Sequence, residues 1–139
     1  MRIGTTLIEV GITVTIVGLM AGVTFPRFAG YRDRIAVDAA AASTLSLLAT
    51  ARHAALRRAT VTAVLIDTAT VQVLVIAGSD TLERRPLGEV HGVTMSTTRD
   101  SIAYAASGLG YGAANTQILI RRGSAVDTIT VSRLGRARR

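Results

Sequence analysis

Residues 5–25 are apolar at nearly every position, with Glu9 as the single charge, and Pro26 follows the run. At 1.5 Å rise per residue such a helix spans roughly 31 Å, about the hydrocarbon thickness of a bilayer. Past it the pattern becomes that of a half-buried helix. Residues 28 to about 58 are rich in alanine and leucine and lack glycine and proline after Gly30, which predicts continued helix. Ile35, Ala42, Leu45, Leu48 and Ala55 recur at spacings of three, four and seven and define the expected packing face, with Arg34, Asp38 and Arg57 elsewhere on the wheel. From Val61 the period shortens to two. Strands are predicted at 61–66 and 71–77, joined through Asp67-Thr68-Ala69-Thr70, then at 90–97, 101–106, 116–122 and 126–132. The last two form a second hairpin around Gly123-Ser124, with Ile118, Ile120, Ile129 and Val131 turned to a core. One long helix followed by antiparallel strands is an α+β arrangement, and neither a repeat nor a linker marks off a further soluble domain.

Glu9 is the misfit in this pattern. A carboxylate in the middle of a membrane costs about 2.5 to 3.5 kcal/mol on insertion scales, so it needs a partner. Cutting the chain between Gly4 and Thr5 would create one, because the new amine of Thr5 lies one helical turn before Glu9, in the same chain or a neighbouring one. Two plainer readings stand beside this: a secretory signal cut near Ala21-Gly22 or Ala29-Gly30, and a single-pass anchor carrying a chance glutamate. Neither accounts for Gly4 and Glu9 together. Gly18 and Gly22 make a small-xxx-small pair that permits close helix approach and is equally common in membrane helices generally.

The heptapeptide Gly4-Thr5-Thr6-Leu7-Ile8-Glu9-Val10 resembles the cleavage and methylation site of type IV pilins and type II secretion pseudopilins. The resemblance implies that a prepilin peptidase cuts after Gly4 and methylates the amine of Thr5, that Glu9 pairs with a neighbour's N-terminus during assembly, and that Pro26 occupies the position of the family's helix-kinking proline. Thr5 departs from the usual phenylalanine. By this resemblance residues 1–4 are the leader, 5–26 the transmembrane and filament-core helix, and 27–139 an exported domain, with the chain a single-pass protein of the bacterial inner membrane whose C-terminal domain lies in the periplasm before filament incorporation. A second resemblance covers the exported part. Ala51-Arg52-His53-Ala54-Ala55-Leu56-Arg57-Arg58 before the first strand, and 129–138 with the closing Gly135-Arg136-Ala137-Arg138, are similar to the GspH/FimT family of minor pilins and pseudopilins. It implies the ladle-shaped type IV pilin-like fold, with β-sheet packed on the distal half of the helix, and other pilin or pseudopilin subunits as partners.

Composition adds charge. The chain has 139 residues, 49% hydrophobic, with no cysteine, so the domain is held by packing without disulfides. All 16 basic residues are arginine, against 9 acidic ones; setting aside Arg2 and Glu9 leaves 15 and 8, so the net +7 belongs to the exported part. That sign favours acidic partners. Arg133, Arg136, Arg138 and Arg139 crowd the end of the chain, and Arg121 and Arg122 lie on the strand expected to pair with it, so the six could share one end of the sheet. With Gly135 they are the candidate nucleic-acid contacts: FimT-like minor pilins are thought to bind DNA through such a Gly-Arg-x-Arg tail, and phosphate contacts of this kind give salt-sensitive affinity for duplex DNA. No stacking aromatics accompany them. A charged tail that merely solvates the last strand is the plain alternative. Catalysis finds no support: His53 and His91 lack ligands at metal-binding spacing, no G-x-S-x-G elbow occurs, and no cofactor motif is present, Gly108-Leu109-Gly110-Tyr111-Gly112 reading as a flexible connector between strands. Two roles remain, a structural subunit of a type II secretion pseudopilus or type IV pilus, and a minor pilin that captures DNA for transformation.

Overall fold

A computed structural model describes residues 6–112 and 116–139, those at 23–27 by their backbone alone. The chain divides into two units, Met1–Arg32 and Asp33–Arg139. Helix α1 runs from Leu7 to Arg58. Within the first unit the stretch Leu7–Gly22 is apolar on all sides and exposed.

In the second unit, α1 is followed by β1 (Thr62–Asp67), β2 (Gln72–Ala77), β3 (Asp80–Pro86), a short helix α2 (Leu87–His91), β4 (Thr94–Thr97), β5 (Ser101–Tyr104), β6 (Gly110–Tyr111), β7 (Thr116–Arg122), β8 (Ala125–Val131) and β9 (Ala137–Arg138). Among the described residues the strands form two antiparallel sheets, ordered β3-β2-β1-β5-β6 and β4-β7-β8-β9. Both expected hairpins form. Val64 faces Val75 across β1 and β2, and Ile118 faces Ile129 across β7 and β8. Alternation does the rest: Val64, Ile66, Val73, Val75, Ile102, Tyr104, Ile118, Ile120, Ile129 and Val131 all turn inward onto α1.

The helix face that receives them is Val37, Ala40, Ala41, Thr44, Leu47, Leu48, Ala51, Ala54 and Ala55, at spacings of three and four. This corrects the expected face. Leu48 and Ala55 are on it and Leu45 packs against it half-buried, but Ile35 is 50% exposed and Ala42 is also outside. The alanines decide the difference, because small side chains at 40, 41, 51, 54 and 55 let both sheets approach the helix, which a reading weighted toward large residues does not see. Each large side chain buried here contributes about 1.5 to 3 kcal/mol.

Two further differences have local causes. The strand expected at 90–97 is shorter, because Leu87–His91 forms α2, which Gly92 ends in the left-handed conformation (φ 62°) with its N–H donating to the Gly88 carbonyl. Strand β3 is absent from the expectation because Asp-Thr-Leu-Glu-Arg-Arg-Pro carries no alternating apolar signal. It lies at the edge of its sheet, where charged residues and a terminal proline protect the free side. The connection after β1 is held by one carboxylate: Asp67 accepts the N–H groups of Ala69 and Thr70 at 2.9 and 3.2 Å and the hydroxyl of Thr70 at 2.5 Å. These bonds, the Thr70 hydroxyl above all, hold the Asp67 carboxyl down at about 2.

Candidate assembly helix and basic groove

Along Leu7–Gly22 the apolar side chains Leu7, Ile8, Val10, Ile12, Val14, Ile16, Val17, Leu19 and Met20 are each at least half exposed. A helix that is apolar all round and uncovered requires a non-aqueous environment, a membrane or the apolar helices of other subunits. Its hydroxyls suit that environment, since Thr13 and Thr15 donate to the Glu9 and Gly11 carbonyls one turn back at 2.7 and 2.8 Å and leave no free donor. Among the described residues Phe28–Arg58 is the stretch long and apolar enough to cross a membrane, Leu7–Gly22 being shorter, but the apolar face of Phe28–Arg58 is buried under the sheets, as in a core helix.

Glu9 sits in the first turn of α1, exposed, with its backbone N–H directed to the Thr6 carbonyl at 3.0 Å. A carboxylate there is favoured by the partial positive charge of a helix N-terminus. Gly4 and Thr5 lie outside the described residues, as does the ring of Pro26, whose backbone is part of α1.

The structure separates the arginines that the sequence groups. Arg121 and Arg122 oppose Val126 and Ala125 beside the Gly123-Ser124 turn, whereas Arg138 opposes Thr130 toward the far end of β8. Two of the six are engaged in ion pairs. Arg122, half-buried, bonds Asp33 at 3.0 Å through Nε and donates through Nη1 to the His91 carbonyl, tying β7 to α1 and to the end of α2. Arg139 reaches Asp38 on α1 and Asp127 on β8. Asp127 shares the inward parity of Ile129 and Val131 and its side chain is only 15% exposed, so the guanidinium neutralises a carboxylate that faces the core side of the sheet. Arg121, Arg133, Arg136 and Arg138 remain exposed, with no carboxylate within salt-bridge distance among the described residues.

Arg136 and Arg138 border a groove of about 490 Å³ between α1 and the chain end, lined also by Leu45, Leu48, Ala49, Arg52, His53, Tyr104, Gly135 and Ala137. The tail is anchored there by a close approach of two backbones. Gly135 has φ 76°, and a Cβ on it would lie 2.6 Å from Cε1 of Tyr104 and 3.0 Å from the Gly110 nitrogen; a Cβ on Gly110 would meet the Arg133 carbonyl and the Gly135 nitrogen at 2.7 Å. The Tyr104 hydroxyl donates to the Gly135 carbonyl at 3.3 Å. Gly135 is therefore fixed by packing, and the glycine-rich segment through Gly110 is docked against the tail where a flexible connector was expected. Burial raises the Tyr104 hydroxyl above its usual range, an effect that the nearby Arg52 charge partly offsets. Arg52 and His53 were missed as site residues because the feature joining them to residues 135–138 is a tertiary contact, although both stand in the Ala51–Arg58 segment of the sequence resemblance.

No family model and no curated protein sequence matches the chain. Solved structures do. The type IV minor pilin FimU of Pseudomonas aeruginosa, in two crystal forms, is similar with TM-scores of 0.64 and 0.60 at 14% and 13% identity, over 76% and 73% of this chain and 88% and 90% of those chains. The minor pseudopilin EpsH from the Type 2 Secretion System of Vibrio cholerae is similar with a TM-score of 0.57 at 15% identity, over 73% of this chain and 94% of that one. With its long N-terminal apolar helix and two antiparallel sheets packed on the helix, this chain has the α+β fold of the type IV pilins.

Proposed function

We propose that this protein is a minor pilin-like structural subunit, of the GspH/FimT kind, of a type II secretion pseudopilus or a type IV pilus. The observation that carries the reading is the joining of a pilin fold to an exposed, all-round apolar helix at Leu7–Gly22 with Glu9 in its first turn. A prepilin peptidase removes residues 1–4 and methylates Thr5; the new amine then meets Glu9 of an adjacent subunit, and apolar helices transfer from the inner membrane into a filament without re-exposure to water. The exported domain faces the periplasm. Mass spectrometry of the mature protein from its host tests this directly: a methylated Thr5 at the N-terminus is expected, and a chain that keeps residues 1–4, or that begins beyond residue 26, overturns it.

A second reading, duplex DNA capture through Gly135, Arg136 and Arg138, is favoured by the exposure of Arg133, Arg136 and Arg138 without carboxylate partners. It predicts salt-sensitive binding of duplex DNA by the detergent-solubilised chain, lost on changing Arg136 and Arg138 to alanine. Unchanged affinity in that variant excludes it.

A further inference from the structure

The groove beside α1 combines three features that a solvated basic tail does not need. It brings Arg52 and His53 from the helix to Arg136 and Arg138 from the tail, with no carboxylate among its lining residues. Like charges gathered this way repel until an anion arrives. Its floor is apolar, made by Leu45, Leu48 and the buried Tyr104. Its border is an open sheet edge, since β9 is the last strand of its sheet. Along that edge the Ser132 N–H donates to the Arg136 carbonyl at 2.9 Å, and Arg138 is opposite Thr130, so alternation leaves Ala137 as the residue whose N–H and C=O turn away from β8.

We propose that this groove receives an extended, acidic segment of a neighbouring filament subunit, which adds to the free edge of β9 while its carboxylates pair with Arg52, Arg136 and Arg138. The proposal rests on the filament-subunit reading. An extended strand presents alternate side chains to opposite sides, so a segment alternating acidic and apolar residues meets both the guanidinium rim and the Leu45–Leu48 floor. Phosphates have no use for that floor, and the buried Tyr104 offers no face for base stacking. The occupant is a different subunit and not a second copy, because this chain carries +7 and two copies meet with like charge.

The test uses the full chain in neutral detergent and follows fluorescence anisotropy of labelled peptides and of a labelled DNA duplex at low salt. Glu-Val-Glu-Val-Glu binds saturably and Lys-Val-Lys-Val-Lys does not. Arg52→Glu, an exposed change on α1, weakens the acidic peptide at least about tenfold, and N-methylation of the peptide's backbone amides weakens it similarly because strand addition is lost. Absence of acidic-peptide binding, equal binding by the Arg52→Glu protein, equal binding of the basic peptide, undiminished binding of the N-methylated peptide, or tight binding of the duplex alone each overturns the proposal. A methylated Thr5 alongside any of these failures leaves the filament reading standing, so the two fail separately.

Discussion

One helix serves two environments, and its two stretches differ in how their apolar residues are arranged. From Leu7 to Gly22 every side of α1 is apolar and exposed; from Val37 to Ala55 one side is buried to within a few percent and the other carries Asp38, Arg52 and His53. The second stretch finds its apolar partner within its own chain, in the inner faces of two sheets, so it needs only a stripe. The first has no such stripe, its large apolar side chains being at least half exposed on every side. Amphipathicity thus reports what covers a helix, and the pattern along α1 changes where the chain's own sheets cover one side of it.

That contrast can be broken most sharply by truncating matched residues. Leu48→Ala, at 2% exposure, should cost about 2 to 5 kcal/mol of domain stability, whereas Val14→Ala, at 65%, should leave the thermal unfolding of the domain in detergent unchanged. A comparable loss in both would mean that the first stretch helps hold the domain. Among the arginines, Arg139→Ala strands the inward Asp127, while Asp38 keeps Arg34 at 3.9 Å, and should cost about 1 to 3 kcal/mol. Arg138→Ala, exposed and without a carboxylate partner, should change stability by less than about 0.5 kcal/mol, so that Tm separates the two neighbours. Inside the core, the Thr62 hydroxyl is buried without a hydrogen-bond partner among the described residues. Replacing it by the similarly shaped valine should raise stability by about 1 kcal/mol, read as a higher denaturant midpoint.

The smallest effect is one of pH. Asp67 titrates near 2 in the folded protein against 3.8 for a free aspartate, so its contribution is present above pH 4 and is lost as pH falls from about 4 to 2. Asp67→Asn should remove that part of the acid dependence of Tm while leaving the neutral-pH fold intact.

The sequence reveals most where one physical demand acts alone. The apolar run with its single glutamate needs no tertiary information, and the β1–β2 and β7–β8 hairpins follow from alternation and turn residues. Of the expected helix face, Leu48 and Ala55 are buried and Leu45 packs against the core, whereas Ile35 and Ala42 lie outside, because the buried face is built largely of alanines that admit the sheets closely. Strand β3 has no apolar pattern since it is an edge, and its pairing with β2 across Leu74 and Arg84 exists only once β2 is in place. The arginines show the same limit. Proximity in sequence grouped Arg136, Arg138 and Arg139, but the last is committed to Asp38 and Asp127, residues distant in sequence, while Arg52 joins the first two from the helix. Charge can be counted from a chain; which charges are already neutralised depends on the fold.

The filament role we propose depends most directly on Glu9, whose carboxylate would pair with a neighbour's new N-terminus during assembly. Glu9→Val should leave the protein in the membrane with an unaltered domain Tm, yet remove it from the sheared filament fraction of the host by quantitative immunoblot. Incorporation of the Glu9→Val protein at the level of the unaltered chain would contradict the account.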